Sequence, residues 1–169
     1  MGERVRREEV LHYINPRFGT HDNHQATSAT WELLGEDLEE YSVEMNPIIT
    51  VERNILDEDY VYHDGYEPTA SVSPYYAREG TELFDTLHDI IAQFLFGDAC
   101  ITDVIEVYLW RPVSDVANTY YGRRKRVCVG IDSYGGDYTG YQIPFTLTYQ
   151  TRDTTSVMFN IETNGIYTP

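Results

Sequence analysis

Apolar residues follow two different periods along this chain. Between residues 81 and 96 the period is helical: Leu83, Leu87, Ile90, Ile91 and Phe94 recur on one face, joined by Phe84 and Leu95. Thr81 suits the N-cap, Glu82 and Asp85 place negative charge in the first turn, and Gly97 is the expected stop. This predicts one amphipathic helix over about 81–96, broad enough on its apolar side to cover a sheet.

Elsewhere the period is two. Leu38, Tyr41, Val43 and Met45 nearly alternate up to the Asn46-Pro47 turn, and Ile48, Ile49, Val51 and Ile55 suggest a partner strand. Tyr60 to His63 reads as a strand stopping at Asp64-Gly65, and Tyr66 to Val72 as extended chain bounded by Pro68 and Pro74. TDVIEVYLW ends at Arg111-Pro112, Ser114 to Gly122 reads as a loop, and Arg124 to Ile131 as a strand. Gly135-Gly136 and Gly140 bracket a turn, Tyr141 to Tyr149 alternates again, and Ser156 to Ile161 is a last strand. The sum is about eight strands and one helix, mostly in antiparallel order. The fold class is α+β: a small twisted β-barrel or sandwich flanked by one helix.

Residues 1–30 show weak periodicity, with Arg4, Arg6, Arg7, Glu8 and Glu9 followed by THDNHQATSAT. They are expected to form a flexible or extended arm, with a short amphipathic helix possible over Glu8 to Ile14. Residues 31–169 then form one domain, as the length allows.

Charge narrows the function classes. With 28 acids against 12 bases the formal charge is −16. That disfavours nucleic-acid binding, which needs a basic face, and anionic membranes. No apolar run approaches membrane-spanning length and the start MGERVRREEV lacks a leader-like apolar core, so a cytoplasmic site of assembly is expected. All cations but Lys125 are Arg, which suits packed ion pairs as well as lineage bias. Fifteen Tyr favour strands and interfaces. Cys100 and Cys128 sit in apolar, strand-like contexts and are expected to be buried free thiols, no spacing supporting a disulfide.

No catalytic, metal or cofactor site emerges. His21 and His24 stand three apart without a third ligand nearby, and metal sites need three or four. Asp57, Asp59 and Asp64 lack the central Gly and terminal Glu of a calcium loop. The glycine run 135–140 precedes a strand, so it reads as a hairpin turn rather than a phosphate cradle. There is no G-x-S-x-G, and carboxylate pairs occur by chance among so many acids. One dense basic run, Arg123-Arg124-Lys125-Arg126, stands out against the acidic body. It is either a solvated strand end or the acceptor for an acidic loop on a neighbouring copy, Glu52, Asp57, Glu58 and Asp59 being the donor.

Four segments in order, GEDLEEYSVEMNP (35–47), GYEPTASVSPYYAREGTELFDTLHDI (65–90), TDVIEVYLW (102–110) and SYGGDYTGYQIPF (133–145), resemble the major tail tube proteins of tailed bacteriophages, particularly those of phages and prophages of Gram-positive hosts. The resemblance covers roughly the last four-fifths of the chain; the first thirty residues are unmatched, and the tail TRDTTSVMFNIETNGIYTP departs from the family in lacking a glycine-rich close. It implies a structural virion protein whose hexameric rings stack into a tube for DNA ejection. Its partners would be itself, tape measure, baseplate and tail terminator proteins, with DNA passing unbound through the lumen. Another ring-forming part, a terminator or baseplate hub, is the alternative within that class, and a carbohydrate-binding β-sandwich the alternative outside it.

Overall fold

The computed structural model describes residues 4, 6, 9–19, 31–34, 41–72, 81–138 and 140–169. Twelve strands and one α-helix are described in them: β1 (Val10–Ile14), β2 (Glu32–Leu34), β3 (Val43–Glu44), β4 (Pro47–Arg53), β5 (Asp59–Tyr66), β6 (Thr69–Val72), α1 (Glu82–Gln93), β7 (Ile101–Pro112), β8 (Thr119–Ile131), β9 (Gly135–Asp137), β10 (Gly140–Gln142), β11 (Phe145–Asn160) and β12 (Gly165–Ile166). Eight strands form one sheet in the order β2-β1-β7-β8-β11-β6-β3, with β12 on β11. Every pairing in it is antiparallel, and it curls into a half-barrel. The fold class is α+β, mainly β, as the two periodicities require.

The central ladder is β7-β8-β11. Alternation sends Val104, Val127, Val129 and Leu147 to one face, where α1 lays Leu83 and Leu87 on them. It sends Ile105, Val107 and Phe159 to the other face, against Tyr13 and Trp31. Both faces of β7 are therefore covered, which is why IEVYL reads as almost unbroken apolar sequence. Gly122 lets β8 approach β7: a Cβ there would meet the Glu106 carbonyl oxygen at 2.5 Å.

Helix α1 begins at Thr81, whose hydroxyl accepts from the Phe84 N–H. Three further contacts tie its first turns to the sheet. The Leu83 N–H donates to Glu32 of β2 (3.2 Å), Arg17 pairs with Glu82 (2.8 Å), and the Thr86 hydroxyl donates to the Pro16 carbonyl (2.7 Å). Burial pushes the Glu32 carboxyl up, opposed by that Leu83 hydrogen bond.

Several expectations need correction. Val10–Ile14 is neither helix nor arm but an interior strand between β2 and β7, because Tyr13 and Ile14 serve opposite cores. The helix ends at Gln93, four residues before Gly97, with Phe94 in the left-handed conformation (φ 53°). That turn swings Phe94 out to 79% exposure, so it is not part of the helix core; Leu83, Leu87 and Ile90 are buried and Ile91 packs at their edge. β4 pairs with β5, not with the strand before it. β8 starts at Thr119, inside the expected loop, and Tyr141–Tyr149 is broken at Ile143-Pro144. The last strand is the distal half of β11, bent by a register shift between Tyr149 and Thr154. Both cysteines are free, but Cys100 is half-buried and Cys128 exposed.

Candidate assembly surfaces

The basic run lies in the middle of β8, facing β7. Alternation splits it. Arg124 and Arg126 both reach Asp103, which is 2% exposed, and Arg124 also lies 5.6 Å over the Trp31 ring. On the opposite face Lys125 pairs with Glu106 at 3.2 Å and lies 5.8 Å from the Tyr149 ring. Arg123 instead donates to the Thr154 and Ser156 hydroxyls. Three of the four cations thus neutralise carboxylates of their own chain. Those carboxylates were missed in the sequence, where Asp103 and Glu106 read as polar interruptions of a strand. Near Glu106, Tyr41 is pushed up to about 12, chiefly by its own burial, with Tyr149 opposing the shift and the Glu106 charge adding to it. Tyr149 is raised further, by burial, by Tyr41 and by Glu106. The two tyrosine hydroxyls neighbour one another without closing a well-formed hydrogen bond.

The acidic donor residues sit on the β4–β5 hairpin, a two-stranded sheet of its own. Its tip is built around Asn54. That side chain accepts from the Leu56 and Glu58 N–H groups, both at 2.9 Å, and Asp57 takes the left-handed conformation (φ 62°). Arg53 pairs with Asp57 (3.3 Å) and Asp59 (3.0 Å), and Asp64 accepts from the Thr50 hydroxyl. So Asp57, Asp59 and Asp64 do not converge. His21 and His24 lie outside the described residues. Among the described residues no group of three or more His, Cys, Asp or Glu is placed to hold a metal ion.

What the sequence reading underrated is the apolar content of this hairpin. All of β4 is exposed, and so is β5 apart from Gly65. Ile49, Val51 and Val61 share one face by register. At the tip Ile55 is fully exposed and Leu56 72% exposed. Thr50, Glu52, Tyr60 and Tyr62 form the other face. A two-stranded ribbon with both faces in water is marginal alone, and a contiguous apolar surface of this kind marks a contact site.

A second exposed cluster crowns the far end of the β7–β8 ladder. Tyr108 and Trp110 stack at 5.2 Å, and Arg111 lies 5.4 Å over the Tyr121 ring. Burial, then Glu106, pushes the Tyr108 hydroxyl up, against the weaker opposing charges of Arg123 and Arg111. A third feature is an apolar groove of about 410 Å³ between the end of α1 and β8, lined by Ile91, Phe94, Cys100, Ile131 and Tyr134. Among the described residues no helix is long and apolar enough to cross a membrane.

Against known proteins, no family model and no curated protein matches this chain. A solved structure does. It is the sheath/tube terminator of an extracellular contractile injection system, PVC, determined by cryo-electron microscopy in the extended state. The match covers 93% of this chain and 97% of that one, with a TM-score of 0.50 and 11% identity. The likeness is one of fold. It spans nearly the whole of both chains, so it concerns the complete arrangement of sheet and helix rather than a shared fragment.

Proposed function

We propose that this chain is a non-catalytic structural subunit of a phage-type tail, closing into hexameric rings that stack as a tube through which DNA leaves the particle. The observation that carries the reading is the β4–β5 hairpin, a two-faced ribbon with apolar and acidic side chains in water. Such a ribbon belongs against a neighbour, and one placed on one side of a chain with a different acceptor elsewhere generates a head-to-tail ring. The fold likeness to an injection-system terminator and the resemblance of four sequence segments to tail tube proteins support the same class. A body of −16 would repel passing DNA and keep the lumen from binding it. The proposed partners are other copies, then the tape measure, baseplate and terminator proteins, in the tail of a virion assembled in the host cytoplasm.

A second reading is a terminator that forms a single ring and caps a tube, favoured by the structural neighbour being a sheath/tube terminator. Negative-stain electron microscopy of the purified protein across concentration and salt separates the two. Hollow stacked tubes support the tube subunit and isolated rings the terminator. Monomers under all conditions, with no addition to preformed tail tubes, overturn both.

A further inference from the structure

Five described cations of this chain face carboxylates: Arg17, Arg53, Arg124, Lys125 and Arg126. Arg111 and Arg123 face a ring and hydroxyls instead. Both belong to one surface: Arg111 lies over the Tyr121 ring, and Tyr121 and Arg123 stand two residues apart on the same face of β8. Around them Trp110 is 47% and Tyr121 40% exposed. The β-bulge between Val107 and Pro112 gathers these groups, since it lets Arg111, adjacent to Trp110, reach the Tyr121 ring across the ladder.

We infer that this arginine–aromatic patch is the socket for the Glu52–Tyr60–Tyr62 face of the β4–β5 hairpin of a second copy. The inference rests on the ring-forming reading above and names its contact. The charges are complementary: the hairpin brings Glu52 and Glu58 beside two tyrosines, and the patch brings two arginines beside Trp110 and Tyr121. Guanidinium groups combine carboxylate pairing with stacking on aromatic faces, so the two surfaces offer each other both interactions. Tyr, Trp and Arg are also the residues that anchor interfaces. The patch and the hairpin are different surfaces, so the contact is heterologous and each copy both gives and receives, as a ring requires. The inference moves the acceptor from the basic run as a whole to its Arg123 end, because the other three cations are held by Asp103 and Glu106. A phosphate polymer is the competing occupant of a cationic aromatic patch, but the surrounding −16 body opposes it.

Sedimentation velocity on charge-reversed variants tests this, with circular dichroism melts to verify folding. Arg111→Glu with Arg123→Glu, and separately Glu52→Arg with Glu58→Arg, should each raise the concentration for half-assembly roughly tenfold or more, as like charges then oppose across the contact. Combining both pairs of reversals should restore assembly. Independently, Arg111→Lys should give a carbodiimide cross-link to Glu52 or Glu58 that mass spectrometry assigns to different copies in a mixture of isotope-labelled and unlabelled protein. If wild-type rings form, yet both reversals assemble normally and no such cross-link appears, the socket is wrong while the ring-forming reading stands. If neither the wild type nor Arg111→Lys self-associates, both fall. Saturable binding of a single-stranded oligonucleotide, lost in Arg111→Glu, would also overturn the socket.

Discussion

The β7–β8 ladder and the β4–β5 hairpin are both antiparallel ribbons carrying arginine opposite aspartate, and they use the pair in opposite ways. In β7–β8 the Asp103 side chain is 4% exposed and two guanidinium groups enclose it. In the hairpin Arg53 is 65% exposed and its partner Asp57 82%. The same chemistry is therefore structural in one place and nearly free in the other. A solvated pair contributes only about 0–1 kcal/mol, whereas removing one member of a buried pair leaves charge without compensation at a cost of about 3–5 kcal/mol. The hairpin's tip is shaped instead by hydrogen bonds from the Leu56 and Glu58 N–H groups to Asn54.

Four measurements would break or sharpen this contrast. Asp103→Ala should lose about 3–5 kcal/mol in denaturant unfolding, because the mostly buried Arg124 guanidinium would lose the carboxylate it pairs with. A loss no larger than that of a surface pair would remove the distinction. In the core beneath α1, Leu87→Ala should cost about 2–5 kcal/mol, while Phe94→Ala, past the left-handed turn, should stay within about 0.5 kcal/mol. Equal losses would mean that Phe94 packs inward after all.

Reversing Asp57 and Asp59 to Lys should change monomer stability by less than about 1 kcal/mol, since both partner only the exposed Arg53. The same variant should fail to form rings or tubes by electron microscopy. Normal assembly would show that the acidic tip is a solvated loop.

The smallest effect concerns Tyr41, whose folded-state ionisation is raised from 10.0 to about 12. Between those values the unfolded chain releases a proton that the folded chain keeps, so stability falls as pH rises through that window and is insensitive to Tyr41 below it. Tyr149 acts in the same direction. Tyr41→Phe should leave stability near neutral pH almost unchanged, as its hydroxyl closes no good hydrogen bond, and should flatten the alkaline loss. An unchanged alkaline slope would remove Tyr41 from that account.

Much of the fold was legible locally. The Thr81 cap and the helical spacing marked α1, and the Gly135–Gly140 turn marked β9 and β10. The misreadings share a cause. Val10–Ile14 is short, with charged residues before it and a polar stretch after it, and its partner β7 lies far along the chain. No nearby residue reports such a pairing. Phe94 fits the helical period, but a left-handed residue interrupts the helix where its period does not. The candidate site divides similarly. The acidic hairpin residues were visible as charge, whereas Asp103 and Glu106 looked incidental until β7 was laid beside β8.

The sequence by itself determined the class of element, because capping chemistry and hydrophobic period act over a few residues and are written in them. It also determined the net charge of −16. Only the tertiary structure decided which charges are spent inside the molecule and which face outward. Adjacent residues of a strand point to opposite faces, and their partners arrive from distant strands. Thus one run of four cations was divided among Asp103, Glu106 and, for Arg123, the Thr154 and Ser156 hydroxyls.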